Sequence, residues 1–400
     1  MKKIINNFLY IIIVLFPIID LISSFNIRYN LKLYSPGIII RGLFFLYIII
    51  YTLCSKKINK DLKKKVIIYY TISIIFFIIF IVLKIKSNIS LYNFLNELKM
   101  LFKFWYFPIT LIFLKNYDYN AKKLFHSLNI NTLIYALCII IPLITNTYFN
   151  SYSSIYKGIV GWFYSANEIG SMLSINLLLL YLNFKNKKNI LLIILNIFSL
   201  TLIGTKVSLF SLIIITISMF LLFTKKYKVK SKESIISFAI GLISLVFILF
   251  NNTSYDIFKR VSLNQTAFKN YDDNYISILL SNRDNTLINK YNDFKNKNLL
   301  IKTFGMGFIN NNECKSIEMD IFDILFSYGY IGFIIYFIPL IYYLSKIKKS
   351  FTIDKLICIF GILLSLSISF ICGHTLSAPS VSIYISIFIS LLSKNIKVNT

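Results

Sequence analysis

The sequence predicts an all-α, polytopic helical membrane protein of about twelve transmembrane helices, with one large extracytoplasmic loop between spans nine and ten. Three observations carry that expectation. The 400 residues are 57% hydrophobic and 15% charged, with a mean hydropathy of +0.71; a soluble surface built from that balance would be largely exposed apolar side chains. Apolar stretches of roughly 17 to 22 residues recur along the chain, and at about 1.5 Å per residue each matches a hydrocarbon core about 30 Å thick. Between residues 251 and 320 the pattern stops, and a polar segment intervenes before apolar character resumes. The chain therefore reads as one integral membrane domain, 1–400, with 251–320 as an insertion.

The spans are expected near 4–22, 36–54, 66–83, 101–115, 127–145, 165–183, 189–204, 207–223, 235–250, 321–344, 353–372 and 377–393. The first follows Met1-Lys2-Lys3 as a signal peptide would. Asp20-Leu21 stands where a small-x-small cleavage site belongs, so the segment reads as an uncleaved helix. Spans seven and eight form one apolar run from 189 to 223, divided only by Gly204-Thr205-Lys206.

Lysines set the expected orientation. Lys2 and Lys3 precede span one. Lys56, Lys57, Lys60 and Lys63 to Lys65 follow span two; Lys115, Lys122 and Lys123 follow span four; Lys185, Lys187 and Lys188 follow span six. Lys225, Lys226, Lys228, Lys230 and Lys232 follow span eight, Lys346, Lys348 and Lys349 follow span ten, and Lys394 and Lys397 close the chain. Every second loop is rich, and the loops after spans five, seven and eleven hold Lys157 alone, Lys206 alone and none. The positive-inside rule places the rich set and both termini in the cytoplasm of a plasma-membrane protein, and residues 251–320 outside. The net charge of +27 is thus accounted for by topology, and nucleic acid is not an expected partner.

Of 43 basic residues only four are arginine: Arg28, Arg41, Arg260 and Arg283. In this topology all four fall on the outer side. Arginine offers a planar, always-charged fork that grips phosphate through two hydrogen bonds, which lysine cannot do. Nine of the sixteen acidic residues lie between 251 and 323, ending in Glu318, Asp320 and Asp323. Asp20, Lys103, Glu168 and Lys206 also sit near outer helix ends, where ionisable groups face a cavity or one another. For Asp20 and Lys103 mutual pairing and snorkelling is the expected reading, and for Arg28 a loop ion pair. His126 and His374 have no acidic neighbour in sequence. The five cysteines form no CxxC pair, and there is no HExxH or DxD, so no metal or cofactor is expected.

Four stretches resemble the O-antigen and capsular polysaccharide polymerase (Wzy-like) and O-antigen ligase families. They are Gly161-Trp162-Phe163-Tyr164-Ser165-Ala166-Asn167-Glu168-Ile169-Gly170, and Leu202-Ile203-Gly204-Thr205-Lys206-Val207-Ser208 with lysine where arginine is usual. Ser281-Asn282-Arg283-Asp284 with Phe304-Gly305-Met306-Gly307-Phe308 is the third, and Glu318-Met319-Asp320-Ile321-Phe322-Asp323 with Gly329-Tyr330-Ile331-Gly332 the fourth. The resemblance covers roughly 155 to 335. Ligases usually carry His-Asn where Glu318-Met319 stands, and residues 251–320 hold no histidine, which argues for the polymerase branch.

The resemblance implies a GT-C-like membrane fold and metal-independent transfer between undecaprenyl-pyrophosphate-linked oligosaccharides at the outer leaflet, with membrane lipid, a flippase and a chain-length regulator as partners. That step needs cations on the diphosphate leaving group and a base for the attacking sugar hydroxyl. Arg283, Lys206 and Arg260 are the candidates for the first, with Arg41 behind them. Glu318 is the candidate base and Asp320 the second; Asn167 and Glu168 are expected to line the cavity. Helix-dipole capping is the competing role for the acids at 318–323. A ligase and a lipid-linked oligosaccharide flippase are the rival functions. Charges near the outer face, without repeat symmetry, favour an enzyme over a transporter.

Overall fold

A computed structural model describes the chain except for residues 1, 32–35, 87–89, 152–157, 185, 228–231, 251–276, 278–279, 311–312, 315, 348–351, 374 and 395–400. Each of the twelve expected spans coincides with a helix: α1 Lys2–Arg28, α2 Pro36–Cys54, α3 Lys60–Lys86, α4 Leu91–Asn116, α5 Ala121–Ile144, α6 Ala166–Leu182, α7 Lys187–Ile203, α8 Lys206–Tyr227 and α9 Lys232–Phe250. After the polar segment come α12 Asp320–Leu344, α13 Ile353–Ile371 and α14 Pro379–Lys394. Seven of these are long and apolar enough to cross a membrane, namely α1, α2, α3, α5, α8, α12 and α13. Shorter apolar helices include α6 and α14. The protein is an all-α, multi-pass membrane protein.

Two of the shorter helices, α6 and α14, are central. In α6, residues 169–182 are all buried, and in α14 so are residues 379–392. A helix with no exposed face belongs inside a bundle. Serines at i, i+4 spacing let α14 approach α4 closely. Ser386 and Thr110 hydroxyls lie 3.3 Å apart, and Ser390 donates to the Leu114 carbonyl at 2.9 Å. The outer helices α2 and α3 instead show isoleucine and leucine faces, including Leu43, Ile50, Ile74 and Ile78, each more than half exposed, as lipid contact requires.

Caps and breaks explain the boundaries. Ser90 accepts the Asn93 N–H and starts α4 ten residues before the expected 101, carrying Glu97 into the interior. Gly204, left-handed at φ 62°, ends α7, and the Thr205 hydroxyl accepts the Ser208 N–H at 3.2 Å to start α8. The expected division at Gly204-Thr205-Lys206 is therefore observed.

The described part of the polar segment has secondary structure of its own. It holds α10 Arg283–Lys295 and α11 Leu299–Phe304, then a short antiparallel hairpin, β3 Ile309–Asn310 with β4 Glu313–Cys314. A second hairpin, β1 Phe149–Asn150 with β2 Ile159–Gly161, precedes α6. Phe294, Met306, Ile317, Met319 and Phe326 form a small core separate from the main one. Glycines seat this unit on α12. Gly329 breaks α12 at φ 68°, and a β-carbon there would come within 2.5 Å of the Thr303 carbonyl. A β-carbon on Gly305 would come within 2.5 Å of the Tyr328 α-carbon, so the two glycines interlock.

Charge separates the two ends of the bundle. At one end Lys57 faces Asp118, Lys123 reaches Asn7, and Lys65 and Lys346 cluster on Tyr342. The polar segment, both hairpins and the α7–α8 turn gather at the other end.

Candidate active site

The polar end holds two charged clusters. The first is built where α10 begins. Ser281 and Asn282 are left-handed, at φ 56° and 65°, and turn the chain so that Arg283 becomes the first residue of α10. Glu318, just before α12, is left-handed too, at φ 61°. Its Oε2 accepts from the Arg283 guanidinium at 2.6 Å. Lys206, at the start of α8, donates to Ser281 Oγ at 3.2 Å. Cys372, capping α13, interacts electrostatically with Arg283, Lys206 and Glu318, so four elements converge. Among the described residues only five non-glycine residues have positive φ, and three are in this cluster. Such conformations cost about 1–3 kcal/mol each and concentrate at functional sites.

Exposure decides which partner can leave. The Arg283 side chain is 12% exposed and that of Glu318 46%. The guanidinium is thus held in place, while the carboxylate is the accessible half of the pair.

The neighbouring acids face inward. Asp320 is 2% exposed, and its Oδ2 accepts the N–H groups of Thr375, Leu376 and Ser377 at 2.8, 2.8 and 3.3 Å. Asp323, equally buried, accepts the Ile317 N–H at 2.8 Å and faces Lys290 at 3.4 Å. Both tie separate chain segments to the first turn of α12; of the three, Glu318 alone is exposed. A carboxylate that accepts three backbone N–H groups is an anchor for the 373–378 loop.

The second cluster is deeper. Arg41 pairs with Asp20, which also accepts the Tyr135 hydroxyl at 2.5 Å. Glu168, in the first turn of α6, interacts electrostatically with both and accepts the Ser380 hydroxyl at 2.8 Å. Asn167 is half-buried beside it. Asp20 is thus paired, but with Arg41 rather than Lys103. Arg28 differs from expectation: among the described residues it makes no ion pair, but it donates to the Phe163 carbonyl at 2.7 Å and stacks 3.9 Å from the Phe149 ring. The clusters meet across the α13–α14 connection and the first turn of α14, since Gly373 abuts Glu318 and Ser380 bonds Glu168. Gly170 also packs against Thr205, joining the start of α6 to the turn that carries Lys206.

The chain matches, in two overlapping stretches, residues 2–266 and 259–399, the family described as O-antigen ligase like membrane protein. The chain belongs to that family. Among curated proteins, none matches it. Membership of the O-antigen ligase-like family makes it a membrane glycan-processing protein, and its multi-pass helical architecture agrees.

Of the sequence candidates, the structure brings Arg283, Glu318 and Lys206 together and sets Arg41 with Glu168 in the second cluster. Asp320 lies beneath the first cluster. Arg260 and His374 lie outside the described residues. The Gly305-Met306-Gly307 turn is held by protein groups: the Lys84 ammonium donates to the Met306 carbonyl, and Glu97 accepts the Phe308 N–H. Cys372, Gly373, Tyr135 and Ser380 were not singled out as members of these clusters. No local motif marks them, because they become neighbours only through packing of α5, α13 and α14.

Proposed function

We propose that the protein is a polysaccharide polymerase. It joins undecaprenyl-pyrophosphate-linked oligosaccharide repeat units on the outer face of the plasma membrane, with residues 251–320 on that face and both termini in the cytoplasm. The observation that carries this reading is the Arg283–Glu318 pair, with Lys206 one serine away, in a membrane glycan-processing family.

The chemistry follows from competition for one guanidinium. Arg283 is held by an exposed carboxylate that a diphosphate would displace, since phosphate offers oxygens to both arms of the fork. Arg283 and Lys206 then carry the leaving group's charge. Glu318, released, takes the proton from the attacking sugar hydroxyl as its oxygen bonds the anomeric carbon and the carbon–oxygen bond to the diphosphate breaks. Substrate binding and activation of the base are one event in this scheme. The protein chain supplies the charges itself, without a metal.

Arg283→Ala and Glu318→Gln are expected to leave single repeat units on the lipid carrier and abolish long polymer while the protein still inserts. Normal chain length in both variants would overturn the assignment. Finished polymer stranded on its lipid carrier would point to the ligase reaction, and units held on the cytoplasmic face to a flippase.

A further inference from the structure

We infer that the lysine-rich end of the bundle carries a binding site for a phosphate-bearing headgroup, that of an anionic phospholipid. A cavity of about 290 Å³ opens there between the ends of α1, α2, α4 and α5. That is at the small end of ligand sites, which run to roughly 1,000 Å³, and suits a headgroup better than a whole lipid. Lys57 and Lys123 stand on its rim, and Tyr10, Tyr51 and Tyr117 form its wall.

The polar groups are arranged for an anion. The Tyr10 hydroxyl accepts the Asn120 N–H at 2.7 Å, so its own proton remains to be donated. Among the described residues Lys123 reaches only the neutral Asn7 side chain, at 3.4 Å. Lys57 meets Asp118 at 3.8 Å, with 69% and 81% of the two side chains exposed. Such a pair is weak, and a phosphate entering the cavity would take the place of Asp118 beside Lys57.

Depth favours a lipid over free phosphate. Candidate spans run over Asn7–Arg28 and Pro36–Cys54, and the cavity, lined by Asn7 and Ser55, lies at their ends, at headgroup level. Beside its tyrosines, Ile11 and Ile50 are 44% and 59% exposed and give acyl chains a surface to follow. Basic pockets between helices at this level bind anionic headgroups.

The test uses the full-length protein in detergent micelles. Phosphatidylglycerol, phosphatidylcholine and inorganic phosphate are titrated in turn, read by retained lipid in native mass spectrometry and by thermal unfolding. Phosphatidylglycerol is expected to be retained and to raise the unfolding temperature, with little effect from the other two. The exposed lysines can be changed without disturbing the core. Lys57→Gln and Lys123→Gln are each expected to weaken phosphatidylglycerol binding roughly fivefold at low salt, and Asp118→Asn to tighten it. Equal retention of phosphatidylcholine, or unchanged binding in the double lysine variant, would overturn the site. Inorganic phosphate binding as tightly as phosphatidylglycerol would overturn the assignment to lipid.

Discussion

The backbone carbonyl of Glu318 lies against Gly373, so close that a β-carbon on Gly373 would come within 2.5 Å of that oxygen. Gly373 is itself left-handed, at φ 67°. The α13–α14 connection therefore sets the position of Glu318 by backbone contact, while Asp320 holds the same connection from below through three N–H groups.

Gly373→Ala must either rotate its own backbone, at about 1–2 kcal/mol for an L residue in that region, or push Glu318 outward. A shift of about 1 Å at a reacting group can cost on the order of a hundredfold in rate. The variant is expected to lose most polymer while its unfolding temperature falls only a few degrees. Gly42→Ala is the control, because nothing lies within 4 Å of its added carbon. It should keep both polymer and stability. Equal loss of polymer in the two variants would show that the contact with Glu318 is not what matters.

How much of this was legible in the sequence follows from the range of each signal. The twelve helices are local: each is a run of apolar residues, and Gly204 marks the α7–α8 division by its own backbone freedom. Arg283 and Glu318 stood out because arginine is rare in this chain and because three acids crowd the start of α12. That crowding did not show that Asp320 and Asp323 turn inward, since their partners are N–H groups at 375–377 and 317. The helix α10 was hidden by its polarity and α11 by its six-residue length; Leu287 and Phe294 of α10, seven residues apart, and Ile301 of α11 pack into the small core against Phe326 of α12.

The Gly-x-Gly turn offers a second test. Lys84, 8% exposed, donates to Met306; Glu97, 2% exposed, accepts the Phe308 N–H with both oxygens at 2.9 and 3.0 Å. Gly307 lies between them, where a β-carbon would come within 2.8 Å of Glu97 Oε1. Removing one charge leaves the other buried without its counter-charge, at a cost of about 3–5 kcal/mol. Lys84→Met and Glu97→Gln are each expected to destabilise strongly and to expose residues 283–308 to protease. The double variant should cost less than the sum, with a coupling of about 0.5–3 kcal/mol. Unfolding in detergent and limited proteolysis measure both, and strict additivity would mean that the two residues act independently.

Cys372 reports on the charges around it. Burial pushes its thiol above the usual range, while Arg283 and Lys206 pull it back and Glu318 raises it. Only the thiolate reacts with alkylating agents. In a variant keeping Cys372 as its sole cysteine, iodoacetamide labelling should be slow at neutral pH and quicken as pH rises. Arg283→Ala and Lys206→Met each remove a cation, so the thiol rises further and labelling slows at any given pH, although the smaller side chains open the site. Glu318→Gln removes the opposing charge and should speed labelling. A diphosphate seated on Arg283 and Lys206 cancels their charge and adds its own, so inorganic pyrophosphate should slow labelling as those two substitutions do, and should lose that effect once both are made. The readout needs no turnover, no lipid carrier and no knowledge of the sugar. If pyrophosphate leaves the labelling rate of the otherwise intact site unchanged, Arg283 and Lys206 do not form a diphosphate site, whatever the fate of polymer in their absence.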